Sequence, residues 1–197
     1  MTSEVGRERL DRCLRQVERR PDSASAHYNL GLAYTARGMV GQAEAAYRKA
    51  LEIDPGLVEA WVNLGGTLLL KWDFQGSLEA NRQALALRDD LVLAHYNIGQ
   101  ACMYLKDPEG VVRSCRRVIE LDPEHAAGHY FLAVGLLALG QAAEAREESA
   151  RAQALGHSPS PEFLRALEKA ALDPDQAQNV HDGDNSGADA PTDSNRR

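Results

Sequence analysis

Apolar residues recur along this chain with two periods, one of a helical turn and one of 34 residues. Aligned at 34 without gaps, segments 24–57, 58–91, 92–125 and 126–159 carry matching residue types in register. One column holds His27, Trp61, His95 and His129. Three residues on stand Leu30, Leu64, Ile98 and Leu132, then Gly31, Gly65, Gly99 and Ala133. Three further come Tyr34, Leu68, Cys102 and Leu136. These offsets are i, i+3, i+4 and i+7, one face of an α-helix. Two later columns, Ala43/Ser77/Val111/Ala145 and Ala50/Ala84/Val118/Ala152, give a second helix its own stripe of mostly small residues, which lets paired helices approach closely. Turn signals divide the two helices: Arg37-Gly38, Asp107-Pro108-Glu109 and Leu139-Gly140. Each segment therefore predicts a helical hairpin that buries its face only against its neighbours.

The flanks read differently. Pro21 lies 34 residues before Pro55, and Leu10, Cys13, Leu14 and Val17 form one helical stripe. Residues 1–23 are thus expected to hold a lone helix over 4–19, packed on the first hairpin like half a repeat. Ser160-Pro161-Glu162 is a helix start, with serine as cap and proline at the first helical position. The stripe Phe163, Leu164, Leu167 and Ala171 then predicts a capping helix over 160–172, polar on its other side at Arg165, Glu168 and Lys169. Residues 173–197 hold six aspartates and a single large aliphatic, Val180, a composition expected to stay a disordered acidic tail. Within it, Asp182-x-Asp184-x-Ser186-Gly187 with Asp193 is similar to part of a calcium-binding loop. The tail lacks flanking amphipathic helices and Pro191 interrupts the pattern, so a solvated acidic segment is the expectation.

The period and the residues together carry a resemblance. Trp61-Val62-Asn63-Leu64-Gly65 and Tyr28-Asn29-Leu30-Gly31, with late alanines and the closing Pro55 and Pro123, resemble the tetratricopeptide repeat (TPR) family. The resemblance spans 24–159 in four in-phase copies. It implies an all-α, right-handed superhelical solenoid of four helical hairpins, with the N-terminal helix and the C-terminal capping helix at its ends. Departures are local. Asp89 replaces the second repeat's proline and Asn81 its late aromatic, and the third repeat exchanges volumes among Cys102, Val111, Cys115 and Val118. Trp72 stands where this turn usually has glycine; it either covers the end of the hairpin or serves as an exposed anchor.

In this family the first helices line a concave face. Repeat positions 2, 6, 9 and 13 oppose the packing stripe. Position 6 reads Asn29, Asn63, Asn97 and Phe131. A primary amide donates and accepts together, which suits an extended backbone. Similar asparagine ladders line the superhelix of the O-linked N-acetylglucosamine transferases, and that resemblance, which is to their repeat region alone, implies a grip on extended polypeptide. The other reading of the same column is structural, each amide bonding neighbouring backbone. Tyr28, Leu70, Tyr96, Tyr104 and Phe131 complete the candidate peptide-binding set, which is apolar and aromatic towards repeats three and four. Carboxylate-clamp members of the family use cationic residues at inner positions. Here Tyr28, Leu32, Leu93 and Asn97 occupy those columns and only Asn63 matches, so no chaperone clamp is expected.

Composition narrows the function further. The chain has 197 residues, a formal net charge of −7 and 44% hydrophobic residues, which does not fit a general nucleic-acid binder. No apolar run approaches a membrane span, and the first residues lack the apolar core of a secretory signal, so a cytoplasmic protein is expected. Cys13, Cys102 and Cys115 are too few and too scattered for a disulfide framework or zinc site, and read as packed thiols. The column histidines are expected to be structural, not metal ligands. No nucleotide-binding, metalloprotease or nucleophile-elbow motif occurs, so neither catalytic residues nor a cofactor is assigned. The expected function is a non-enzymatic scaffold or adaptor that binds an extended, partly apolar segment of another protein. The alternative is self-assembly into homo-oligomers through the same apolar surface.

Overall fold

A computed structural model describes residues 2–172 of the chain. Among them are ten helices and no strand. They are α1 (Thr2–Arg19), α2 (Ala24–Thr35), α3 (Val40–Ile53), α4 (Val58–Leu70), α5 (Phe74–Leu87), α6 (Val92–Tyr104), α7 (Pro108–Leu121), α8 (Ala126–Ala138), α9 (Ala142–Ala154) and α10 (Pro161–Leu172). The first helices of the hairpins begin at residues 24, 58, 92 and 126, so the 34-residue period is also the period of the backbone. Each first helix packs on its own second helix and on the second helix of the preceding hairpin. In addition α4 touches α6 and α6 touches α8, so the first helices form one continuous wall of a helical solenoid. The acidic segment 173–197, with its calcium-loop-like pattern, lies outside the described residues.

Helix ends follow from local chemistry. Ser23 Oγ accepts the amide of Ala26 at 3.3 Å, and Asp73 and Asp107 accept those of Gly76 and Gly110 at 2.9 Å. His125 Nδ1 does the same for Gly128 at 2.9 Å. These caps satisfy amides that have no partner within their helices. Between the helices of each hairpin, one residue adopts a left-handed backbone: Gly38, Trp72, Lys106 and Gly140, with φ of 68°, 64°, 59° and 76°. The following amide returns to the carbonyl five residues back, for example Asp73 N to Leu68 O at 3.0 Å. Glycine adopts this conformation freely, whereas a residue with a Cβ is strained by about 1 kcal/mol or more. Two of the four turns carry that strain.

The interior of each hairpin is fixed by one facing pair of columns. Tyr47, Asn81, Cys115 and Ser149, all essentially buried, sit on the second helices. In the first three hairpins they lie against Gly31, Gly65 and Gly99 of the first helices, where a Cβ would crowd them. Each solves its polarity differently. Tyr47 bonds its hydroxyl to Thr35 Oγ1 at 2.9 Å. Asn81 donates to Ser77 O at 2.8 Å. Cys115 stays an apolar thiol, pushed by burial up to about 12. Ser149 Oγ has no partner among the described residues.

The ring column is structural throughout. Nε2 of His27, His95 and His129 lies 2.8, 3.0 and 3.0 Å from the carbonyls of Pro21, Asp89 and Pro123, six residues earlier. Trp61 Nε1 donates to Pro55 O at 2.8 Å. A carbonyl only accepts, so Nε2 of each histidine carries the hydrogen. Indole and imidazole exchange in this column because both present a ring N–H at that point. At the ends of the solenoid, α1 buries Leu10 and Cys13 against Leu30, Ala33 and Ala46, and α10 buries Phe163 and Leu167 in the core shared by the later hairpins.

Candidate binding groove

The inner wall is built by the sides of α2, α4, α6 and α8 that turn away from their own second helices. The three amides of the sixth column have different surroundings. Asn29 is exposed, and its side chain makes no hydrogen bond among the described residues. Asn63 is half-buried and donates to Glu59 O at 2.7 Å and to the Tyr28 hydroxyl at 3.3 Å. Asn97 is only 5% exposed and donates to Asn81 Oδ1 at 3.2 Å. Its recession has a cause in the second repeat. Asn81 stands where an aromatic is usual, and its carbonyl draws the Asn97 amide into the hairpin interface. The fourth residue of the column, Phe131, is half-buried between Tyr96 and Tyr130.

Aromatic residues collect in two groups. Tyr96, Phe131, Tyr130 and Phe163 form a chain of edge contacts with centroids 5.6, 5.4 and 5.3 Å apart, running from α6 across α8 to α10. The second group lies at the rim between α4, α5 and α6. Phe74 stacks on Tyr104 at 4.5 Å, and Trp72 meets both rings edge-on at 6.0 and 5.7 Å. Trp72 is 71% exposed, Leu70 65% and Tyr104 51%. With Leu69 and Gln100 these residues border an open cavity of about 170 Å³. Trp72 is therefore exposed at the end of its hairpin, with its ring edge-on to two neighbours. Phe74 opens α5, outside the first-helix columns, so the repeat pattern of inner positions does not reveal it.

Charge is uneven along the wall. Arg19, Arg20, Ser25 and Asn29 border a cavity of about 370 Å³ where α1 meets α2. The first turn of α2 holds no acidic residue. Glu59, the acidic residue at the inner positions, is engaged by Arg88 at 3.4 Å. Burial, and secondarily Glu59, raises the Tyr28 hydroxyl above its ordinary range, so Tyr28 stays protonated and free to donate. Val62, which flanks these positions, is buried between repeats.

Chemically the wall offers amides, phenols, an indole and apolar area. Burial, reinforced by Asp107, pushes the Cys102 thiol up to about 11, which makes it a poor nucleophile. Among the described residues no cluster of three or more histidine, cysteine or carboxylate side chains is placed to hold a metal ion. No described helix is long and apolar enough to cross a membrane.

Models of the family described as tetratricopeptide repeat match residues 24–57 and 92–125. No curated protein matches the sequence at a significant level. Among solved structures, the chain is similar to MamA, with a TM-score of 0.70 and 18% identity over 83% of this chain and 89% of that one. It is also similar to pilF of Pseudomonas aeruginosa, with a TM-score of 0.71 and 20% identity over 91% and 90% of the two chains. YrrB, a TPR protein with an unusual peptide-binding site, aligns with a TM-score of 0.62 and 18% identity over 86% and 93%. At these identities the likeness is one of fold.

Proposed function

The chain is a tetratricopeptide repeat protein, and we propose that it works as a non-enzymatic scaffold whose concave face binds an extended, partly apolar segment of another protein. One observation carries this reading. Leu70, Trp72 and Tyr104 are exposed side by side on the rim of the inner wall, around an open cavity, where a folded monomer gains nothing by exposing them. Trp72 adds strain to exposure, since glycine would hold the same turn at lower cost. Asn29 and Asn63 supply amides for a ligand backbone, Tyr28 a phenol, and Tyr96, Tyr104 and Phe131 apolar contact, with Asn97 behind them. The family resemblance favours an adaptor over an enzyme.

The experiment is affinity purification from the native cell of the full chain and of an Asn29→Ala, Asn63→Ala, Leu70→Ala triple variant. Equal melting temperatures establish that both are folded. Loss of the same specific proteins from the variant supports the groove; identical protein lists contradict it. Homo-oligomerisation through the same exposed patch is the second reading. It requires a mass that rises with concentration in light scattering and falls to the monomer in the Trp72→Gly variant.

A further inference from the structure

The two ends of the inner wall have opposite chemistry, and this specifies the ligand more closely. At the α1–α2 end the 370 Å³ cavity has Arg19 and Arg20 on its border and no carboxylate among its lining residues. Neither guanidinium is paired with a carboxylate among the described residues. At the α4–α6 rim the second cavity is lined by Leu69, Leu70, Trp72, Phe74, Gln100 and Tyr104, with no charged side chain at all. Between the two lie Asn63 and the half-buried Gly66, where an added Cβ has only Asn97 Nδ2 within reach, at 3.7 Å. The floor of the wall is therefore low at the point a ligand would cross.

Resting on the groove reading above, we propose that the ligand is a bipartite extended segment. It carries an acidic stretch that docks on Arg19 and Arg20 and an aromatic or aliphatic anchor that docks on Trp72, Phe74 and Tyr104. Each end of the wall complements one kind of side chain. Unpaired guanidinium groups beside a concavity gain most from carboxylates, which they hold through two parallel hydrogen bonds. A charge-free cavity of rings gains most from apolar side chains. Glu59, one inner helix along, already has Arg88 and repels further acid, which confines the acidic stretch to the α1 side. Two inner-helix steps and most of a helix length separate the cavities, about 25 Å, or seven to eight extended residues.

The test is selection of a random-peptide display library on the full chain, followed by fluorescence anisotropy with the synthetic consensus peptide. The expected peptides carry an acidic pair and, about seven or eight residues away, a large apolar residue. Arg19→Glu with Arg20→Glu is expected to weaken the consensus peptide about tenfold or more, and a peptide with lysines in place of its acids to recover binding on that variant. Trp72→Gly is expected to weaken every apolar anchor while leaving the acidic preference intact. Both arginines are exposed and glycine suits the turn, so unchanged melting curves show that these variants fold. Selected peptides with no acidic position, or undiminished binding by the double arginine variant, overturn the bipartite ligand while leaving the groove reading in place. Selection of no peptide at all overturns the groove reading itself.

Discussion

The two sides of α4 follow different rules. On the side towards α5, Leu64, Gly65 and Leu68 are buried, and a Cβ on Gly65 would run into Asn81. On the side towards the groove, Asn63 and Gly66 are half-buried, Leu70 is exposed, and a Cβ on Gly66 would make only an ordinary contact with Asn97 Nδ2, at 3.7 Å. Gly65 and Gly66 are neighbours in sequence, yet one is required by packing and the other is not. The 34-residue period fixes the first side, because each hairpin needs the same contact. The second side is free of that constraint, and there the repeats differ from one another.

Four substitutions sharpen this contrast. Tyr47→Ala removes the largest fully buried side chain and its bond to Thr35, and is expected to destabilise the fold by about 3–5 kcal/mol in denaturant unfolding. Gly65→Ala gains about 1 kcal/mol of helix propensity but forces Asn81 aside, for a net loss of about 1–2 kcal/mol. Gly66→Ala gains the same propensity without a collision and is expected to stabilise by up to about 1 kcal/mol. The two glycine variants thus shift the melting temperature in opposite directions; shifts of the same sign would erase the distinction between the two sides. Lys106→Gly relieves a left-handed backbone at no cost in packing. It is expected to raise stability by about 0.5 kcal/mol, since the unfolded chain also gains freedom.

The hairpins were legible because packing repeats itself: every column at i, i+3, i+4 and i+7 pointed to the same contact. The groove was legible only in part. Leu70 and Tyr104 stand at inner positions and are exposed, and Tyr96 and Phe131 do touch. Asn97 also stands at an inner position, but its neighbour Asn81, sixteen residues away in sequence, draws it under cover. No helical period encodes a hydrogen bond between two hairpins. The inner-position columns do not reach Phe74, which belongs to a second helix, and its stacking on Tyr104 depends on how adjacent repeats are set against each other. Trp72 gave the clearest local signal, a bulky residue in a glycine column, and its side chain could be placed only once the neighbouring rings were known.

In the proposed function the inner wall is the working surface and the hairpin interior its scaffold. Gly66→Gln tests it most directly, because it fills the floor of the groove with a neutral, helix-compatible side chain and leaves the packed side of α4 untouched. The measurement is the affinity of this variant, against wild type, for a peptide selected on the full chain. The expected result is binding weakened about tenfold or more with an unchanged or higher melting temperature. Equal affinity in the folded variant would contradict it and place the binding surface elsewhere on the solenoid.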